Sequence, residues 1–199
     1  MHNKSKHIVG ITGGIGSGKS HVCHMIESMG YPVFYCDDEA KRIIRTHPDV
    51  RQELCQLISP DLYDANGILQ KKMLASHLCR GKEYAAQVDR IVHPRVAKAF
   101  QNWCMQQNAT FCFMECALLF ESGFDRLVQY VVHIDTPENV RLRRIMQRDN
   151  ISEESARKWM ALQMPETEKK QRADYCICND DGIDTAAEVG KALQHISAF

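Results

Sequence analysis

The chain has no net charge, no long apolar run and no paired-cysteine motif, and each absence removes a class of function. Twenty-five basic side chains are matched by twenty-five acidic ones, so no global field draws the protein to nucleic acid or to a membrane surface. No apolar stretch approaches the roughly 20 residues that cross a bilayer. The leader Met1 to His7 shows no secretory h-region ahead of the first apolar run. Nine cysteines are an odd number, and no two of them form a C-x-x-C pair. Cys23, Cys36, Cys112, Cys116, Cys176 and Cys178 stand in apolar segments, where cysteine acts as a small hydrophobe. Reduced thiols in a cytoplasmic protein are therefore expected rather than a disulfide framework. Neither Cys112 and Cys116 nor the scattered histidines have the clustering of a zinc site, and no structural metal is expected. Internal repeats and low-complexity linkers are missing as well. A length of 199 residues suits one domain, or one domain carrying a sizeable insertion.

What is present is concentrated between Ile8 and Ser20. The apolar run Ile8 to Thr12 reads as a buried strand, a glycine-rich turn follows, and a helix can start near Lys19. Gly13-x-x-x-x-Gly18-Lys19-Ser20 fits the phosphate-binding loop pattern at every fixed position. The glycines let the backbone approach a ligand closely, and successive N–H groups form a nest for phosphate oxygens. The positive end of the helix dipole adds to the same place. Lys19 supplies a point charge for the outer phosphates, and the Ser20 hydroxyl can join the coordination of Mg²⁺.

Helical and extended patterns alternate along the rest of the chain, which predicts a parallel α/β sheet. Val22, Ile26 and Met29 recur as the buried stripe of a helix that stops at Gly30-Tyr31-Pro32. Val33 to Cys36 reads as a second strand ending at Asp37-Asp38. In an open parallel sheet ligands gather at the carboxyl ends of strands. Asp37 can thus serve a substrate hydroxyl as base or orienting group, or cap the following helix; both roles are open. About seventy residues then pass without a clear strand, far more than a parallel crossover needs. They are read as helices over Asp49–Ile58, Gln70–Leu78 and Glu83–Gln107, the last interrupted at Pro94. Phe111 to Glu115 is a third strand, with Glu115 either a metal-holding carboxylate or an ordinary strand end. Leu118 to Glu121 is helix-competent, and strands return at Tyr130–Ile134 and Tyr175–Cys178. Between them Arg141, Arg144 and Arg148 share one helical side, either as a solvated face or as phosphate-directed charge on a lid. Ser152 starts a further helix, Pro165 breaks it, and the tail with Ala187, Leu193 and Ile196 is expected to pack on the sheet.

Taken together these residues resemble the dephospho-coenzyme A kinase family from Ile8 to Gly182. The loop Ile11 to Ser20, Asp37, Ile91-Val-His-Pro-Arg-Val96 and Leu118 to Glu121 have counterparts there. So do Arg144-x-x-x-Arg148-Asp149, Gln163, Ala173-Asp174 and Asn179. The chain departs from the family where Tyr35-Cys36-Asp37 replaces Asp-Ala-Asp, where Glu115 replaces Asp and where Ala117 replaces Pro. His21 also stands where a phosphate-contacting Thr is frequent, so no side-chain role is carried over to His21 or Tyr35.

The resemblance implies a P-loop NTPase-type three-layer α/β sandwich with a five-stranded parallel sheet. The expected nucleotide-binding core is residues 1–45 and 108–199, with a lid at about 139–165 and an inserted helical substrate subdomain at 46–107. It implies that ATP phosphorylates the ribose 3′-hydroxyl of dephospho-CoA, with Mg²⁺. The expected nucleotide contacts are Gly13, Gly14, Ile15, Gly16, Ser17, Gly18, Lys19, Ser20, His21, Arg144 and Arg148. Asp37, Lys19 and Arg144 are expected to be catalytic, with Ser20 and Glu115 at the metal. Dephospho-CoA is the expected partner, without nucleic acid or membrane; oligomeric state stays open, with a monomer as the working expectation. Another P-loop small-molecule or nucleotide kinase is the alternative, because the loop reports phosphate and not the acceptor. A GTP switch would carry a guanine-reading Asn-Lys-x-Asp segment, and the chain has none.

Overall fold

In the computed structural model, which describes residues 6–198, apolar runs become a parallel sheet. Met1 to Ser5, most of the leader read as lacking an h-region, lie outside the described residues. The strands are β1 (His7–Thr12), β2 (Val33–Tyr35), β3 (Phe111–Glu115), β4 (Tyr130–Asp135) and β5 (Tyr175–Cys178). They lie in the order β2-β3-β1-β4-β5, every pair parallel. β3, β1 and β4 are central and nearly continuously apolar, as strands covered on both faces must be. The order reverses beside β1, whose neighbours are β3 and β4. A crevice is expected outside the carboxyl ends of strands at such a switch point.

The pleat sorts the faces. Val9, Ile11, Tyr130, Val132 and Ile134 point to one side, where Val22, Cys23 and Ile26 of α1 (Lys19–Ser28) join Val189, Ala192 and Ile196 of α9 (Thr185–Ser197) in one core. The alternate residues of β4, His133 and Asp135, point to the other side and meet Glu166 and Lys170 of α8 (Glu166–Arg172). Near the loop, α6 (Glu138–Asp149) and α7 (Glu153–Met160) close a smaller cluster of Leu142, Ile145 and Ala156, and Ile15 packs against it.

Two compact units are present, one running to Tyr35 and again from Gln106, the other from Cys36 to Met105. The second unit takes in α2 (Cys36–Thr46), which the sequence boundary at 45 placed with the core. It continues through α3 (Pro48–Leu57), a 3₁₀ turn (Pro60–Leu62), α4 (Lys71–Leu78) and most of α5 (Lys82–Gln106). Ser59 caps the 3₁₀ turn through the Asp61 N–H, and Asp64 Oδ1 accepts from Asn66 and Ile68 to fold the reversal at Gly67. Lys41, Ile44, Arg45, Leu69, Lys71 and Leu74 border a cavity of about 220 Å³ within this unit.

Several local expectations change. Pro94 does not interrupt α5, because a stripe of Val88, Val92, Val96, Phe100 and Cys104 is buried on both sides of it. Pro94 itself is exposed, so the Arg90 carbonyl it leaves unbonded can turn to water. Met29 caps α1 and is 45% exposed, and Cys23 completes the buried stripe instead. Leu118 to Glu121 forms successive turns rather than a helix, and ends at Gly123 with φ +74° ahead of a 3₁₀ turn (Phe124–Leu127). Ala187 of the tail is exposed; Val189 and Ala192 do the packing expected of it.

Phe113 lies at the centre of the large core and meets the Tyr31 ring edge-on at 5.6 Å. Phe113→Ala is expected to cost about 3–5 kcal/mol. In urea unfolding this would appear as a lower midpoint with an unchanged slope.

Candidate active site

The phosphate-loop sequence folds as a tight cup at the carboxyl end of β1, and the helix it feeds begins at Lys19. Gly16 and Gly18 adopt φ of +80° and +86°, a region that a side chain strains. A Cβ on Gly16 would stand 2.7 Å from the Arg141 carbonyl, and one on Gly18 would stand 2.2 Å from Asn179 Nδ2. Glycine is thus demanded twice over, by backbone angle and by neighbours. Within the cup the Ser17 N–H donates to the Gly14 carbonyl at 3.1 Å, and the Val22 N–H begins the helix ladder on Gly18. Among the described residues the buried hydroxyls of Thr12 and Ser17 have no hydrogen-bond partner.

Lys19 is buried at 8% exposure, and its Nζ donates to the carbonyls of Gly13 (2.9 Å) and Gly14 (3.2 Å). Its charge therefore sits inside the cup that the loop forms. Ser20 and His21 are exposed at the start of α1. Glu115 ends β3 beside Ile11 and is buried. The Cys23 thiol on α1 reports both charges: burial, then Glu115, push its pKa far up, while Lys19 pulls it down. Burial and a hydrogen bond to Glu27 likewise raise the Tyr35 hydroxyl at the end of β2. Asp37 is exposed in the first turn of α2, two residues beyond β2.

The three arginines of α6 that helical spacing grouped together separate. Arg148 is bonded to its neighbour Asp149. Arg144 is paired with Asp181 at 3.2 Å, and its Nη1 lies 3.7 Å from where a Cβ on Gly18 would be. Arg141 is buried over the loop, with Nε donating to the Thr136 carbonyl at 3.2 Å.

Behind the loop stands a layer of residues to which the sequence reading gave no role. The Ser17 carbonyl accepts from Asn179 Nδ2 (2.7 Å) and from the Thr136 hydroxyl (3.0 Å), and Thr185 holds the Asn179 side chain by its other end. The outer arm is tied by Gln163 Oε1, which accepts from the Ile15 N–H at 2.8 Å, and by Glu166 Oε2, which accepts from the Gly14 N–H at 3.1 Å. Glu121 accepts from the Met164 N–H and faces the fully buried Lys169, which also donates to the Ala117 carbonyl. His133 Nε2 is 3.5 Å from Glu166 Oε2, too long for a hydrogen bond. Burial lowers the His133 pKa against the opposing pull of Glu166 and Asp135, so the ring is neutral near pH 7. Asn179 and Gln163 were visible only as family counterparts. A threonine, a histidine and a glutamate at ordinary spacing carry no local signal of a shared site.

Comparison with known proteins places this geometry. A family model described as Dephospho-CoA kinase matches residues 7–185. A Bacteroides fragilis protein named dephospho-CoA kinase is 41% identical over 173 residues, covering 86% of this chain and 84% of that protein. The solved dephospho-CoA kinase of Campylobacter jejuni superposes with a TM-score of 0.71 at 30% identity, covering 97% of this chain and 98% of the other. A solved Thermus thermophilus protein superposes with a TM-score of 0.85 at 32% identity, covering 96% and 98%.

The crowding at Gly16 generates a prediction. Gly16→Ala is expected to destabilise the protein by about 1–3 kcal/mol through backbone strain. Because the Arg141 carbonyl cannot yield as a side-chain tip would, calorimetry should also show nucleotide binding lost.

Proposed function

Since the chain belongs to the dephospho-CoA kinase family, we propose that it transfers the γ-phosphoryl group of ATP to the ribose 3′-hydroxyl of dephospho-CoA, the last step of coenzyme A synthesis. The observation that carries this reading is Lys19, a buried ammonium held by two loop carbonyls at the place where phosphate oxygens would take over its hydrogen bonds. The N–H groups from Gly16 to His21 receive the nucleotide phosphates, with Gly13, Gly14 and Ile15 forming the outer arm. Arg144 and Arg148 approach from the lid, near 139–165, once they exchange Asp181 and Asp149 for phosphate.

Asp37 takes the proton of the 3′-hydroxyl or orients it. The new bond joins the 3′-oxygen to the γ-phosphorus as the bond to the bridging oxygen of ADP breaks. Such a transfer is mainly a matter of positioning and charge stabilisation. The second unit, with the cavity ringed by Lys41, Arg45 and Lys71, is assigned to the acceptor. These three cations suit a ligand that carries phosphates.

Ser20 and Glu115 suit Mg²⁺, which binds few protein oxygens and keeps several waters and phosphate oxygens. The exposed Ser20 hydroxyl stands at the loop, and Glu115 is a buried carboxylate at the end of the neighbouring strand. When bound, the ion would neutralise charge on the phosphates. Among the described residues no helix is long and apolar enough to cross a membrane, and none of the nine cysteines is in a disulfide. A cytoplasmic protein is the reading we adopt, with the monomer as its working form.

The test is a coupled ADP-release assay with ATP and Mg²⁺, with and without dephospho-CoA, and product mass as the check. Acceptor-dependent release with a product one phosphate heavier is expected. Lys19→Ala and Asp37→Ala should each lower kcat by roughly 10² or more. ATP binding without turnover of dephospho-CoA would instead favour a different acceptor.

A further inference from the structure

An arginine carries five N–H donors, and burying it leaves all of them to be met by acceptors. Arg141 is 6% exposed. Among the described residues it has one hydrogen bond, from Nε to the Thr136 carbonyl, and one ion pair, from Nη1 to Glu166 Oε1 at 4.0 Å. The ion pair is beyond hydrogen-bond reach, so most of the fork is unmet by protein. That fork lies on the phosphate loop: a Cβ on Gly14 would stand 2.3 Å from Nη1. It also borders a cavity of about 410 Å³ that Glu166, Met160, Pro165 and Thr167 share. An under-satisfied, partly desolvated guanidinium beside an anion-binding loop is built to receive phosphoryl oxygens. Arg144 and Arg148 differ, because each already donates a hydrogen bond to an acidic partner, Asp181 and Asp149.

Glu166 holds this arrangement with one oxygen on each side. Oε2 accepts the Gly14 N–H, and Oε1 faces Arg141. The carboxylate thereby fixes the outer arm of the loop and the guanidinium in one register.

We propose that Arg141 is a further catalytic residue, contacting the transferred phosphoryl group, and that Glu166 is the positioning residue that aims it. The proposal rests on the assignment of the loop to ATP. As the bond from the γ-phosphorus to the bridging oxygen breaks, negative charge gathers on the leaving ADP, and the guanidinium neutralises it next to Lys19. Help given to the transition state more than to bound ATP appears in kcat rather than KM.

The test compares the full-length wild type with Arg141→Met, Glu166→Gln and the double variant. Turnover is measured by acceptor-dependent ADP release, and ATP binding is measured separately by calorimetry. Arg141→Met is expected to lose roughly 10² in kcat with KM for ATP changed by no more than about threefold, and added guanidinium should restore part of the rate. Glu166→Gln keeps an acceptor for Gly14 and should lose about tenfold in kcat, with little further loss once Arg141 is gone. Arg141→Lys, which keeps charge and loses the fork, covers the case in which the methionine variant does not fold, and should also lose about tenfold. Arginine variants with wild-type kcat, an effect indifferent to guanidinium and additive with Glu166, or a faster Glu166→Gln enzyme would each overturn the proposal. A wild type that fails to bind ATP would overturn the loop assignment itself, which is a separate result.

Discussion

The Ser17 carbonyl is the point on which the loop depends. Asn179 and Thr136, from the ends of β5 and β4, converge on it through side-chain donors at 2.7 and 3.0 Å. A glycine-rich turn loses much conformational entropy on ordering, so its shape has to be imposed from outside. The sheet supplies that imposition. Because β4 pairs in parallel with β1, and β5 in parallel with β4, the polar residues just past their last apolar positions arrive beneath the same carbonyl.

A second set of contacts joins the loop to the segment around α8. Gln163 and Glu166 accept consecutive loop N–H groups, while Glu121 and Lys169 anchor the same segment to the turns after β3. Ion pairs taken from water add little net stability, but losing one partner leaves a costly buried charge. Their effect here is registry: loop, turns and α8 are tied to one another. The neutral His133 beneath Glu166 fits this economy, since a second buried positive charge there would have to be solvated by groups already in use.

Much of the first unit was legible in the chain. Strand positions followed from apolar runs, and the loop followed from fixed residues whose jobs are local. The misreadings were equally local in origin. Proline at 94 signals a break by itself, yet a buried stripe spanning it outweighs one missing bond. Leu118 to Glu121 has helical composition, but Gly123 and the pull of its side chains into the core turn it instead. Among the arginines, helical spacing put Arg141, Arg144 and Arg148 on one side without ranking them. Burial ranks them, because only Arg141 is covered.

The sequence by itself determined the sheet's strands, the glycines and the lysine of the cup, and the family, since each depends on residue type at short spacing. Tertiary structure alone decided which distant groups support the cup. Thr136, Gln163, Glu166 and Asn179 lie more than a hundred residues from the loop they hold. Their meeting is a product of strand order and helix packing, and no pattern confined to neighbouring residues encodes it.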